Sequence, residues 1–81
     1  MTAVVPDSKG LRSDLGALPP AVKGEIRAKR HPALLPRMLI LRSTTRAGEL
    51  AVAGLVDRFG ECWWERGRWR VRRAQLRLPG L

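Results

Sequence analysis

Residues 61–72, "ECWWERGRWRVR", hold all three tryptophans of the chain and have one pairing that suits every position. If Arg66 and Gly67 form a two-residue turn, side chains alternate across the two flanking strands. The facing pairs are then Glu61–Arg72, Cys62–Val71, Trp63–Arg70, Trp64–Trp69 and Glu65–Arg68. One face collects Cys62, Trp64, Trp69 and Val71, all apolar. The other collects two opposite-charge pairs and a Trp63–Arg70 cation–π pair, contacts that contribute about 0.2–1 kcal/mol each. Arg-Gly is not among the strongest turn pairs, so a longer loop is the alternative. The apolar face needs a floor, and the expectation is that Trp64 and Trp69 pack on Val52, Val56 and Phe59, each ring burying about 150–250 Å².

Those three residues belong to the clearest helical signal. Val52, Leu55, Val56 and Phe59 fall at i, i+3, i+4 and i+7, one stripe of an amphipathic helix. Thr44 or Thr45 can cap its start, Glu49 suits the first turn, and Arg58 followed by Gly60 suits the end. The helix is predicted over 46–59. A first helix is predicted over 20–30: Pro20 fits its first turn and Pro32 its stop. Val22 and Ile26 mark its buried side, and Lys23, Arg27 and Arg30 form a basic stripe along another. Gly24 weakens it by about 1 kcal/mol relative to alanine. Residues 37–42 read either as a strand or as a short helix from Pro36, with "MLIL" followed by Ser-Thr-Thr favouring the strand. Residues 1–18 lack sustained periodicity and read as a mobile tail or docking arm. Past Val71 the apolar positions change parity, which predicts a bulge or a helical turn near Arg73. The expected fold is a small α+β domain over 19–81: helix, strand or short helix, helix, β-hairpin.

The chain is short, and a folded domain of this size buries only about 60–65% of the surface its unfolded form exposes. Its net charge is +9 over 81 residues. Residues 21–45 carry six basic side chains against one acidic, and residues 61–81 carry six against two. Residues 46–60 balance between them, and two basic blocks flanking a neutral one suit a polyanion binder. One cysteine and one histidine cannot supply the three or four ligands of a zinc site, and a lone cysteine forms no internal disulfide. His31 lies between Arg30 and Pro32 without an acidic residue to orient it, and Cys62 sits on the apolar face of the hairpin. With no Gly-rich phosphate loop and no metal-binding carboxylate pair, the expectation is a non-enzymatic protein without cofactor or metal. "MTAVVPDSKG" does not read as a signal peptide, and "MLIL" is far too short to span a bilayer. A cytoplasmic, soluble protein with no membrane partner is expected.

The hairpin arginines divide by partner. Arg68 and Arg72 face glutamates, which leaves Arg66, Arg70, Arg73 and Arg77 as freer charges. Trp63, on the outer face, could stack on a base. The expected nucleic-acid contacts are therefore Lys23, Arg27, Arg30, Trp63, Arg66, Arg70, Arg73 and Arg77, with Lys29, Arg37 and Arg42 nearby in sequence.

"GRWRVRRAQL" (67–76) resembles the wing and following turn of excisionase-type, MerR-like winged-helix DNA-binding domains, and "RAGEL" (46–50) resembles the end of their recognition helix. Sixteen residues separate the two motifs here, more than in that family. The resemblance implies a winged-helix-like fold and DNA as partner. It also implies that Arg68, Arg70 and Arg72 or Arg73 lie near phosphates while Trp69 anchors the wing. The expected function is nucleic-acid binding, DNA before RNA. There are two alternatives: a phage- or plasmid-type regulator or inhibitor that docks on a larger nucleoprotein machine through the same basic surface, and a small subunit of an RNA-rich assembly.

Overall fold

The computed structural model describes residues 1–30 and 37–72, with only the backbone of Trp63, Trp64 and Trp69. Along the chain run β1 (Thr2–Pro6), α1 (Lys9–Ala17), α2 (Pro20–Gly24), β2 (Arg27–Arg30), β3 (Met38–Arg42), α3 (Arg46–Phe59), β4 (Glu61–Glu65) and β5 (Arg68–Arg72). The five strands form one sheet in the order β2-β3-β1-β4-β5, and every neighbouring pair is antiparallel. Strand β3 therefore lies between β1 and β2, and β1 lies between β3 and β4. These are two interleaved split β-α-β units, the ferredoxin-like plan, with β5 added at one edge.

Residues 1–18, expected as a tail, instead supply a central strand and a core helix. In β1, Ala3 and Val5 enter the main core with Leu39, Leu41, Val52, Leu55 and Val56. Val4 enters a second cluster with Met38 and Cys62 on the sheet's other face. A strand buried on both faces shows a continuous apolar run in place of alternation. Helix α1 starts at Ser8, whose side chain accepts a hydrogen bond from the Leu11 amide at 3.1 Å. Its Leu11 is fully buried, and Gly10 lets α1 approach Phe59 closely.

The predicted helix over 20–30 is shorter than expected. Helix α2 ends at Gly24, and residues 27–30 form edge strand β2. Ladder bonds to β3, from Arg27↔Arg42 to Arg30↔Leu39, outweigh the helical propensity of Ala, Lys and Arg. Lys23, Arg27 and Arg30 consequently share no helical face. Residues 38–42 take the strand alternative.

Helix α3 has the predicted bounds, the predicted Thr45 cap and a stop at Gly60 with φ 87°. The hairpin has the predicted register at all five pairs. Its turn residues Arg66 and Gly67 have φ values of 51° and 79°, as a type I′ turn requires.

The floor beneath the hairpin differs from the expectation. Cys62 packs with Val4, Met38 and Ile40, on the face away from α3, because β4 joins the sheet beside β1. Val71 on the same face is 44% exposed. The side chains of Trp63, Trp64 and Trp69 lie outside the described residues, as do the parity change near Arg73 and the residues after it.

Helix α3 meets β3 through a tight corner. A Cβ on Gly48 would collide with the Ser43 hydroxyl and lie 2.8 Å from its Cβ, whereas one on Gly54 would meet nothing within 4 Å. Ser43 is only 2% exposed and cannot swing clear. Gly48→Ala is therefore expected to destabilise by about 1–3 kcal/mol. Gly54→Ala should stabilise by about 0.5–1 kcal/mol. Urea unfolding of the two variants measures both, and equal effects would contradict the packing described.

Candidate nucleic-acid interface

Cross-strand pairing brings Arg27 of β2 directly opposite Arg42 of β3. Lys29 stands two residues along on the same face, opposite Ile40. A full row crosses this face of the sheet: Lys29, Ile40, Val4, Cys62 and Val71, one from each strand. The helices cover the other face, where Ala3, Val5, Leu39 and Leu41 meet α3. The Arg27–Arg42 pair therefore lies on the helix-free face, beside Thr2 of β1. All four residues, Thr2, Arg27, Lys29 and Arg42, are exposed. Because β1 and β4 are antiparallel, the start of β1 and the far end of β4 lie at the same end of the sheet. The hairpin turn with exposed Arg66 extends from that end.

Like charges placed directly opposite each other on neighbouring strands destabilise a sheet. An ion pair with a carboxylate would relieve them. Glu25, Glu49 and Glu65 lie at this end of the sheet, but none of them forms an ion pair with Arg27, Lys29 or Arg42. Asp7 binds Arg12 and lies 3.2 Å from Arg30. Asp14 pairs with Arg58, Glu61 with Arg72, Glu65 with Arg70, and Glu49 with the terminal ammonium of Met1. Glu25 accepts from the Thr45 hydroxyl, and Asp57 stands on the exposed side of α3. Among the described residues no ion pair reaches Arg27, Lys29 or Arg42.

Of the residues singled out from sequence, Arg27 and Arg66 lie at this end of the sheet. Arg30 sits on the opposite face and is held by Asp7. Arg70, expected to be free, lies 3.7 Å from Glu65, its diagonal neighbour across the hairpin. Lys23 is in the last turn of α2. The Trp63 side chain, Arg73 and Arg77 lie outside the described residues. Lys29 and Arg42 were noted only as neighbours in sequence, yet they complete the cluster. Their signal lies in the alternation of β2 and β3, which is legible only once Arg27–Arg30 is read as a strand.

Chemistry of other kinds finds little support here. Cys62 is 2% exposed, and burial, followed by the charge of Glu61, pushes its thiol above the usual range. It rests as the unreactive thiol. Among the described residues no group of three His, Cys, Asp or Glu could hold a metal ion. Among those residues, too, no helix is long and apolar enough to cross a membrane.

At the other end of the sheet, Asp7 joins β1, α1, β2 and β3. Hydrogen bonds from Arg12 hold its carboxyl below the usual range, against burial, and the charges of Arg12, Arg30 and Arg37 add to the effect. A depressed carboxylate contributes stability that is fully present above the unfolded value of about 3.9 and lost as pH falls through the folded value. The melting temperature is expected to drop below about pH 4. Asp7→Asn should lower stability at neutral pH by about 1 kcal/mol and flatten that acid limb. Thermal melts between neutral and acid pH test this, and an unchanged acid limb in the variant would remove Asp7 from the explanation.

Compared with known protein families, with curated proteins and with solved structures, the chain matches none of them.

Proposed function

We propose that this protein is a small non-enzymatic nucleic-acid-binding protein whose contact surface is the basic end of its sheet. The observation that carries the reading is the Arg27–Arg42 pair: two exposed arginines directly opposite in the β2–β3 ladder, Lys29 two residues along on the same face, and no ion pair reaching any of the three among the described residues. Such a pair is a standing electrostatic cost in the free chain, and a phosphate lying between the two arginines converts it into charge-assisted hydrogen bonds. Arg66 at the hairpin tip adds a fourth exposed cation at this end. DNA comes first among nucleic acids through the resemblance to winged-helix domains.

A site built on repulsion makes a prediction in which stability and binding move in opposite directions. Arg42→Gln removes one member of the like-charge pair and should raise stability by about 0.2–1 kcal/mol. The same change should weaken binding and reduce the salt slope by about 0.7–0.9, the contribution of one phosphate contact. Lys9→Gln, beside Asp7 at the other end of the sheet, should leave the slope nearly unchanged. Thermal melts and fluorescence anisotropy of labelled oligonucleotides across salt provide the two readouts. Absence of any binding at about 50 mM salt, where phosphate contacts are strong, would overturn the proposal.

A further inference from the structure

We infer that the ligand of this basic end is a single-stranded nucleic acid laid across the strands, and not a duplex entered by a helix. The inference rests on the nucleic-acid reading above and asks which form of nucleic acid the surface fits.

A duplex is commonly read by a helix or a two-stranded ribbon that enters the major groove. The described helices are poorly charged for that task. The exposed side of α3 carries Arg46, Asp57 and Arg58, and Arg58 is tied to Asp14. Helix α1 offers Lys9 at its first position and Arg12, which is bound to Asp7. Helix α2 has five residues and one cation, Lys23. The hairpin is no better placed as a ribbon, because Arg70 and Arg72 are paired with Glu65 and Glu61.

The cations outside these pairs that gather on one face and one end are sheet positions, whereas Lys9, Lys23 and Arg46 are scattered over three helices. Arg27, Lys29 and Arg42 lie on the helix-free face, and Arg66 lies at the hairpin tip of the same end. From β2 to β4 is three strand spacings, about 14 Å, a distance that a few nucleotides of an extended strand bridge. A flexible strand running perpendicular to the β-strands can bring successive phosphates to Arg27, Arg42 and then Arg66. A duplex, with a persistence length of about 50 nm, is stiff and convex at this scale and touches such a face only along a line.

Apolar surface lies on the same face, in the row that runs from Lys29 to the opposite edge strand. Val71 is 44% exposed at the end of the row that starts at Lys29, and Ile40 is half-buried within it. Unstacked bases can use apolar surface next to a phosphate track, whereas a paired duplex offers its backbone to the same surface.

The test compares labelled single-stranded DNA, single-stranded RNA and duplex DNA of equal length by anisotropy, using the full chain. At least tenfold tighter binding of a single strand than of the duplex is expected. With four phosphate contacts, the single-strand salt slope should be about −2.8, a fall of about fiftyfold in affinity between 50 and 200 mM salt. Val71→Ser should weaken single-strand binding severalfold while leaving that slope unchanged; Arg27→Gln should reduce the slope. Circular dichroism checks that both variants stay folded, and Val71, at a sheet edge and half-exposed, is a mild site for substitution. Duplex binding as tight as single-strand binding, or tighter, would overturn this inference and leave the nucleic-acid reading standing. So would an unchanged affinity in a folded Val71→Ser variant. Binding to none of the three probes would overturn both.

Discussion

Strand β1 is five residues long, lies between β3 and β4, and is buried on both sides by different partners. Its pairing with β3 runs the whole length of the strand, from Thr2↔Arg42 to Pro6↔Met38. Ala3 and Val5 supply the floor on which α1 and α3 rest. Val4 supplies the centre of the opposite cluster, to which Cys62 brings the hairpin. Without this strand β4 has no neighbour except β5, and an isolated two-stranded hairpin is marginal in water. The same pairing fixes where Arg42 lies, because the register along β1 sets which residues of β3 face the helices and which face away.

Segments that carry their own period were legible in the sequence. Helix α3 shows a four-residue apolar stripe, a threonine cap and a glycine stop. The hairpin shows charge on one face and apolar groups on the other. Both are local patterns, decided by neighbours within a dozen residues. β1 carries no such pattern because both faces are buried, so "AVV" has nothing to alternate with. β2 fails for the opposite reason: "RAKR" is exposed at all four positions, and its residues favour helices. Its strand character comes from β3, whose partner residues lie about a dozen positions further on. The candidate site inherits that difficulty. Arg27 and Arg42 are fifteen positions apart, and only the β2–β3 ladder sets them side by side. The hairpin also shows how a correct register can be joined to a wrong floor, since pairing within two strands does not say which side of them the helix will cover.

Acidic residues divide the surface into two electrostatic territories. Asp7 and Asp14 fasten the arginines of α1, β2 and α3 to the body, while Glu61 and Glu65 do so for β5. These pairs are mostly exposed and individually weak, but they consume the negative charge. Among what remains positive, Arg27, Lys29 and Arg42 stand together where the sheet has no helix over it. Charge in this chain therefore behaves as a pattern set by placement of the few acids as much as by abundance of arginine.

The two outer strands of the sheet, β2 and β5, are read "RAKR" and "RWRVR". An unpaired strand edge is a template for joining another sheet, and dense positive charge blocks it, since a second copy presents the same charge. Under the proposed function, the cations of β2 act as gatekeepers for the free chain as well as contacts for phosphates. Anything that neutralises them, salt or polyanion alike, also removes the barrier between edges. Under the proposed function, self-association and ligand occupancy are for that reason coupled: the charge that holds copies apart is the charge that a bound phosphate would cover.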